Sequence, residues 1–126
     1  MTRILIADSN LSSRNAMALL LSRRLGLSDI AEAGDTETLI RVLADYPPDI
    51  LLLDWQLYGA PAPETCRLLQ KIYPAMKIIL LSVDADDRQT AHEAGATFIH
   101  KGTSPDDVLA VLEPLSKNKK DYRKAF

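Results

Sequence analysis

The chain has one cysteine and no long apolar run, and both scarcities limit the kinds of protein it can be. A single cysteine, Cys66, among 126 residues excludes an intramolecular disulfide framework and fits a reducing compartment. No apolar stretch approaches the roughly 20 residues that a transmembrane helix needs. The start at Met1 leads into a strand pattern rather than a signal peptide. We therefore expect a cytoplasmic protein without a membrane partner, in which Cys66 is a buried helical thiol.

Glycine is also scarce, with five residues in the chain, and the first of them is Gly26. No glycine-rich loop therefore follows the first apolar run, where a nucleotide-binding or flavin-binding fold would need one to hold phosphate. The Asp-x-His-x-x-Gly pattern of cobalamin-binding domains is absent as well. These absences argue against a nucleotide-binding, flavin-binding or cobalamin-binding protein of α/β architecture.

Neither sign of charge is in large excess, since 15 Lys and Arg stand against 17 Asp and Glu, a net charge of −2. Five of those bases and one of those acids fall in residues 117–126, so the rest of the chain carries a net charge of −6. An acidic body argues against direct nucleic-acid binding by the domain. We expect one domain over residues 1–116, with 117–126 as a basic linker or C-terminal tail.

Apolar runs and helical patterns alternate along the chain. The segments between the runs begin and end at capping residues, glycines and prolines. The runs predict strands at 3–8, 28–33, 49–54, 76–82 and 97–100. Five strand–helix units joined by right-handed crossovers predict an α/β fold, a doubly wound (βα)5 three-layer sandwich. Its parallel five-stranded sheet is expected in the order 2-1-3-4-5.

Some local expectations follow from the same pattern. The second helix is expected to bury Leu39, Ile40 and Leu43, and a polar helix is expected over 85–94. His92 lies on that polar helix and should be exposed. His100 sits on an alternating strand and should pack against a helix rather than bind metal.

Four of the apolar runs end in polar residues of different chemical kinds: Asp8, Asp54, Ser82 and Lys101. The carboxyl ends of parallel strands share one edge of the sheet, so these side chains should converge on one crevice. Carboxylates suit a hard cation such as Mg²⁺, while a hydroxyl and an ammonium suit a phosphate oxyanion. The sequence thus predicts a site for a divalent cation and phosphate, in which a carboxylate is a candidate phosphoryl acceptor.

Over residues 3 to about 116 the chain resembles the receiver domain of two-component response regulators. The resemblance rests on the order and spacing of five pieces: Ile4-Leu5-Ile6-Ala7-Asp8, Leu53-Asp54-Trp55, Leu81-Ser82, Gly95-Ala96 with Phe98, and Lys101. The run from Lys101-Gly102 through Ser104-Pro105 into an apolar helix is similar to receivers that precede a helix-turn-helix DNA-binding domain. No such output domain is present in these 126 residues.

The resemblance implies a role for each site residue. Asp54 would attack the phosphohistidine of a partner kinase and become an aspartyl phosphate. Asp8, Asp54 and the backbone carbonyl of Gln56 would hold Mg²⁺, with Ser9 as a further candidate ligand. Lys101 would pair with a phosphoryl oxygen. Beyond self-phosphotransfer and autodephosphorylation, no enzymatic activity is expected.

The resemblance also implies a switch and a set of partners. Ser82 would donate a hydrogen bond to the phosphoryl group, and its movement would open space for the ring of Phe98 to turn inward. The final helical face would then be presented to a partner or to a second copy. The expected partners are a sensor histidine kinase or phosphotransfer protein and, in a homodimer, the chain itself. The output domain, the signal and the kinase are not identified by the sequence.

Four positions depart from the family pattern. Ser9 stands where a second acid is usual, which predicts weak Mg²⁺ binding because that cation relies on few protein charges. Tyr58 replaces a common proline, and Val83 replaces alanine or glycine and narrows access to the phosphoryl site. Gly102 replaces the proline after the lysine, so no cis peptide is expected there.

Two alternatives from other classes remain open. One is an atypical receiver that binds partners without phosphorylation, which Ser9 and Val83 favour and which the retained Asp54, Ser82 and Lys101 oppose. The other is a haloacid-dehalogenase-like phosphatase, which also uses an aspartate nucleophile. That family needs a second aspartate two residues after the first, where this chain has Asn10.

Overall fold

The computed structural model describes residues 2–124, and for residues 117–124 it describes the backbone alone. The strands are β1 Arg3–Ala7, β2 Asp29–Ala33, β3 Ile50–Asp54, β4 Lys77–Ser82 and β5 Thr97–His100. The helices are α1 Leu11–Leu25, α2 Thr36–Asp45, α3 Ala62–Ile72, α4 Arg88–Glu93 and α5 Pro105–Lys124, with a 3-10 turn at Ala85–Asp87. The alternation confirms the (βα)5 prediction.

The five strands form one parallel sheet in the order β2-β1-β3-β4-β5, as predicted. All five residues of β3 are buried because helices cover both faces of the sheet. Side chains alternate between two cores. Leu5, Leu51 and Leu53 face a core formed with α2, α3 and α4, whereas Ile6 and Leu52 face a core formed with α1 and α5.

The helix ends follow their local sequence. Asn10 accepts a hydrogen bond from the Ser13 amide at 2.9 Å and caps α1, which Gly26 ends in the left-handed conformation at φ 66°. Asp35 caps α2 by accepting from the Thr38 amide at 2.7 Å. That backbone hydrogen bond lowers the pKa of the Asp35 carboxyl. These caps fix where α1 and α2 begin, directly after β1 and β2.

Two local expectations were wrong. Ile40 is 43% exposed because it lies about 100° around α2 from Leu39, outside the buried stripe. The segment 85–94 is a 3-10 turn followed by the short α4 rather than one helix. The ring of His100 hydrogen-bonds to Val83 and Gly102 in two neighbouring loops, contacts that the sequence did not predict.

Other local expectations were confirmed. Cys66 is fully buried on α3, where burial raises the pKa of its thiol. His92 is exposed on α4.

The backbone of α5 continues to Lys124, so the segment predicted as a basic tail extends that helix as far as the described residues reach. None of the helices within residues 2–124 is both long enough and apolar enough to cross a membrane.

Candidate functional site

The carboxyl edge of the sheet carries a cleft of about 370 Å³. It is lined by Asp8, Ser9, Asn10, Ser13, Asp54, Gln56, Tyr58, Val83 and Lys101. β1 and β3 are neighbours, and the chain leaves them in opposite directions, from β1 to β2 and from β3 to β4, so a crevice opens between them. Of the four predicted strand-end residues, Asp8, Asp54 and Lys101 meet in this cleft.

Asp54 is the last residue of β3 and is only 4% exposed. Its Oδ1 lies 2.8 Å from the Lys101 Nζ, and its Oδ2 accepts a hydrogen bond from the Gln56 amide at 3.0 Å. Both oxygens of this carboxylate are therefore held in place, and the carboxylate faces the cleft. A buried, oriented and charge-paired carboxylate is suited to act as a nucleophile at a fixed point.

Asp8 follows β1 and is 8% exposed. Its Oδ1 accepts from the Asn10 amide at 2.9 Å, and its Oδ2 lies 3.4 Å from the Lys101 Nζ. Its backbone carbonyl accepts from the Arg14 Nη1 at 2.6 Å, and Arg14 also pairs with Glu32 of β2 at 3.1 Å. Arg14 was not singled out from the sequence, because its role depends on a residue from another strand.

Lys101 follows β5 and links the two carboxylates. Partial burial of the ammonium lowers its pKa, but the hydrogen bond and charge of Asp54, aided by Asp8, outweigh that effect and raise the pKa above its ordinary value of 10.5. The ammonium is thus retained at neutral pH. It offers a fixed positive charge to any anion that enters the cleft.

The donor set fits a small hard cation that takes few protein ligands. Asp8 and Asp54 each have lone pairs to spare beside their present hydrogen bonds, and the Gln56 carbonyl was predicted as a third ligand. Within residues 2–124 no group of three or more acidic, histidine or cysteine side chains is arranged to hold a metal. Two carboxylates without a third are consistent with the predicted weak Mg²⁺ site.

Ser9 uses its hydroxyl to join three loops. The hydroxyl donates to the Gly34 carbonyl at 2.9 Å and accepts from the Tyr58 amide at 2.8 Å. Tyr58 in turn accepts from the Thr36 amide at 2.8 Å. The loops after β1, β2 and β3 are thereby connected at the rim of the cleft. Ser9 therefore has a structural role that does not depend on a bound cation.

The predicted switch residues lie at the next strands. Ser82 ends β4 and is 2% exposed. Its hydroxyl donates to the Asp87 Oδ2 at 2.6 Å and accepts from the Asp84 amide at 3.1 Å. Phe98 is buried on β5, and the guanidinium of Arg88 lies 4.9 Å from the centre of its ring. Neither Asp87 nor Arg88 was singled out from the sequence.

Comparison with known proteins agrees with this geometry. A sequence profile of the response regulator receiver domain matches residues 4–113. The chain belongs to the response regulator receiver domain family. It is thus homologous to the phosphoacceptor domains of two-component response regulators.

Curated relatives of this receiver domain are transcriptional and sensory regulators. The phosphate regulon transcriptional regulatory protein PhoB of Pseudomonas aeruginosa is 31% identical over 115 residues, which cover 87% of this chain and 49% of PhoB. The nitrate/nitrite response regulator protein NarL of Escherichia coli is 29% identical over 112 residues, 86% of this chain and 52% of NarL. The receiver domain therefore spans about half the length of the relatives it matches.

Solved structures confirm the fold. A CheY-like response regulator receiver domain protein from Methanospirillum hungatei matches with a TM-score of 0.81 at 22% identity, covering 96% of this chain and 98% of that one. The isolated receiver domain of RcsB from Salmonella enterica serovar Typhimurium, in the presence of phosphomimetic BeF3⁻, matches with a TM-score of 0.80 at 18% identity over 92% and 88% of the two chains. Nothing in these relatives favours the atypical alternative.

Proposed function

We propose that Asp54 is the phosphoryl acceptor of this receiver domain, with a sensor histidine kinase or a phosphotransfer protein as the donor. The observation that supports this most is the position of the Asp54 carboxylate. It lies at the centre of the carboxyl edge, where it is largely buried but lines the cleft. Its Oδ1 is paired with the Lys101 Nζ at 2.8 Å. Asp8 lies on the neighbouring strand and is further from Lys101.

In the proposed transfer, one carboxylate oxygen of Asp54 forms a bond to phosphorus while the phosphorus–nitrogen bond to the donor histidine breaks. The imidazole leaves with the electron pair of that bond. Lys101 then exchanges part of its contact with Asp54 for a phosphoryl oxygen, so that the added negative charge stays paired. The Gln56 amide keeps the other Asp54 oxygen oriented.

Asp8, Asp54 and the Gln56 carbonyl are the residues that would hold Mg²⁺. When bound, the cation would offset charge on the phosphoryl group. Water attack on the aspartyl phosphate would later return the domain to its starting state. Receiver domains are not enzymes in the ordinary sense, and this self-limited phosphoryl transfer and autodephosphorylation is the chemistry we assign to this one.

The output we propose is a change on the face formed by α4, β5 and α5. Ser82 ends β4 and Phe98 lies on the adjacent β5, so movement of the Ser82 hydroxyl toward a phosphoryl group would disturb the packing of Phe98. That face would serve a second copy, an output domain or another partner. We place the domain in the cytoplasm, with residues 117–126 as a basic linker or C-terminal tail.

The test is incubation with a small phosphodonor and Mg²⁺, followed by intact mass measurement. We expect one added phosphoryl group that is stable in acid and labile in base, and none on Asp54→Asn. A labelled Asp54→Asn would place the acceptor at another residue. Unchanged mass of the parent, under conditions that label an ordinary receiver, would support a receiver that binds partners without phosphorylation.

A further inference from the structure

The turn between β4 and α4 contacts both predicted switch residues. Asp87 ends the 3-10 turn and holds the Ser82 hydroxyl at 2.6 Å, and the next residue, Arg88, lies over the ring of Phe98. Two consecutive residues at the start of α4 thus each contact one member of the proposed switch pair. The sequence resemblance assigned neither of them a role.

The Ser82 hydroxyl can donate one hydrogen bond, and it donates this bond to the Asp87 carboxylate. The hydroxyl oxygen also accepts from the Asp84 amide at 3.1 Å, so its position is fixed from two sides. Ser82 is almost fully buried and the bond to Asp87 is partly buried, which reduces competition from water. A hydrogen bond from a hydroxyl to a carboxylate at this length is among the stronger ones in proteins.

To donate to a phosphoryl oxygen on Asp54, the Ser82 hydroxyl must first leave Asp87. We propose that Asp87 is a positioning residue that holds Ser82 in the phosphoryl-free arrangement and so opposes the switched state. The proposal rests on the function proposed above. It adds that the cost of breaking the Ser82–Asp87 bond reduces affinity for a phosphoryl group or its mimic.

Breaking this bond also changes the start of α4. Asp87 would lose its buried hydroxyl partner, while Arg88 beside it still contacts Phe98. Movement of Ser82 would therefore reach Phe98 through the backbone of this turn as well as through the neighbouring strand. This supplies a physical link between the hydroxyl and the α4 face.

The test is beryllofluoride affinity, measured through the fluorescence of Trp55, the single tryptophan of the chain and the residue that follows Asp54. Asp87→Ala should bind beryllofluoride about tenfold more tightly than the parent, because a hydrogen bond to a charged group no longer has to be broken. Asp87→Asn, which keeps the shape and an acceptor oxygen but lacks the charge, should show a smaller gain.

Asp86→Ala is the matched control. It removes the same charge from the same turn, but Asp86 is exposed and its side chain does not contact Ser82. Its affinity should equal that of the parent. In a Ser82→Ala background, Asp87→Ala should change nothing, because the hydroxyl through which Asp87 acts is gone.

The outcomes separate the two proposals. Equal gains from Asp86→Ala and Asp87→Ala would show a general charge effect and overturn the role of Asp87 alone. An undiminished gain in the Ser82→Ala background, or weaker binding by Asp87→Ala, would overturn it as well. Absence of beryllofluoride binding by the parent and by Asp87→Ala alike would overturn both the positioning role and the proposed phosphoryl acceptor.

Discussion

Lys101 holds two buried carboxylates together, and its ionisation should therefore affect stability. Its pKa is raised in the folded protein by Asp54 and Asp8 despite partial burial. A raised pKa means that the folded state binds this proton more tightly than the unfolded state. The stabilisation is therefore complete below the ordinary value of 10.5 and is lost as pH rises through the folded-state pKa.

We expect Lys101→Met to be less stable than the parent by about 2 kcal/mol at pH 8, because two carboxylates lose their charged hydrogen-bond partner. The difference should shrink as pH rises above 10.5, because the parent then begins to lose this stabilisation. Urea unfolding across this range measures it. Lys77→Met, at an exposed position of β4, is the control and should show no such trend. A difference that stays constant as pH rises above 10.5 would mean that Lys101 stabilises by packing alone.

Ser9 is the clearest departure from the family, and its hydroxyl joins the loops around the cleft. Ser9→Asp would place a third carboxylate near Asp8 and Asp54 but would lose the donor to the Gly34 carbonyl. We expect this variant to bind Mg²⁺ at least about tenfold more tightly, if the new ligand supplies 1.4 kcal/mol. Without metal it should be less stable than the parent, because the added charge repels the other two.

Trp55 fluorescence in a Mg²⁺ titration measures the affinity, and urea unfolding in EDTA measures the stability. Ser9→Ala is the control, since it loses both hydrogen bonds without adding charge. It should be destabilised by about 1 kcal/mol without a gain in Mg²⁺ affinity. Mg²⁺ binding by the parent that equals or exceeds that of Ser9→Asp would show that the site is already complete.

The loops after β4 and β5 are joined by the ring of His100. Its Nε2 lies 2.9 Å from the Val83 carbonyl and its Nδ1 accepts from the Gly102 amide at 3.2 Å, a pairing that requires the neutral tautomer with the proton on Nε2. The proline usual at position 102 would have no amide to donate. A Cβ at Gly102 would lie 2.8 Å from the His100 Cε1, so the ring could not keep its present position beside a larger residue.

We expect His100→Ala to be destabilised by about 1–2 kcal/mol, the net value of one or two hydrogen bonds. Amide exchange, measured by mass spectrometry, should become faster in the loop that follows Ser82 and in the loop that contains Lys101. His92→Ala, at an exposed position of α4, should lie within about 0.5 kcal/mol of the parent. Equal behaviour of the two histidine variants would show that the loops are held by other contacts.

The start of the chain is held to α5 by the Thr2 hydroxyl, which donates to the Ser116 carbonyl at 2.6 Å in a buried position. Val108, Leu109 and Leu112 of α5 complete the core that also contains Ile4 and Ile6. Among the side chains that the structure describes, which end at Ser116, α5 thus contributes to the core that supports the sheet. The domain boundary at residue 116 stays a prediction, and the backbone of α5 runs past it to Lys124.

Deletion of residues 117–126 should leave a cooperatively unfolding domain, with a free energy of unfolding within about 1 kcal/mol of the full chain. Deletion from Val108 onward should abolish cooperative unfolding, because it removes three buried side chains from one core. Circular dichroism during urea unfolding distinguishes the two. Unfolding of the shorter deletion would show that residues beyond 116 belong to the domain.

The sequence determined the strands, their parallel order and most of the site, and the reason is local. β1, β3 and β4 each carry a run of four apolar residues, which favours strands that are buried on both faces of a covered parallel sheet. Once the strands are parallel, the polar residue after each run is carried to the same edge. Asp8, Asp54 and Lys101 meet for that reason, and no knowledge of loop geometry was needed to expect it.

Only the tertiary structure decided where the remaining polar groups turn. Ser82 faces Asp87, Arg14 joins the Asp8 carbonyl to Glu32, and His100 ties two loops together. Each of these contacts depends on how a loop approaches another element and not on a strand or helix period. Hydrogen bonds are short and directional, so a displacement of one loop by a few ångströms would give different partners to the same residues.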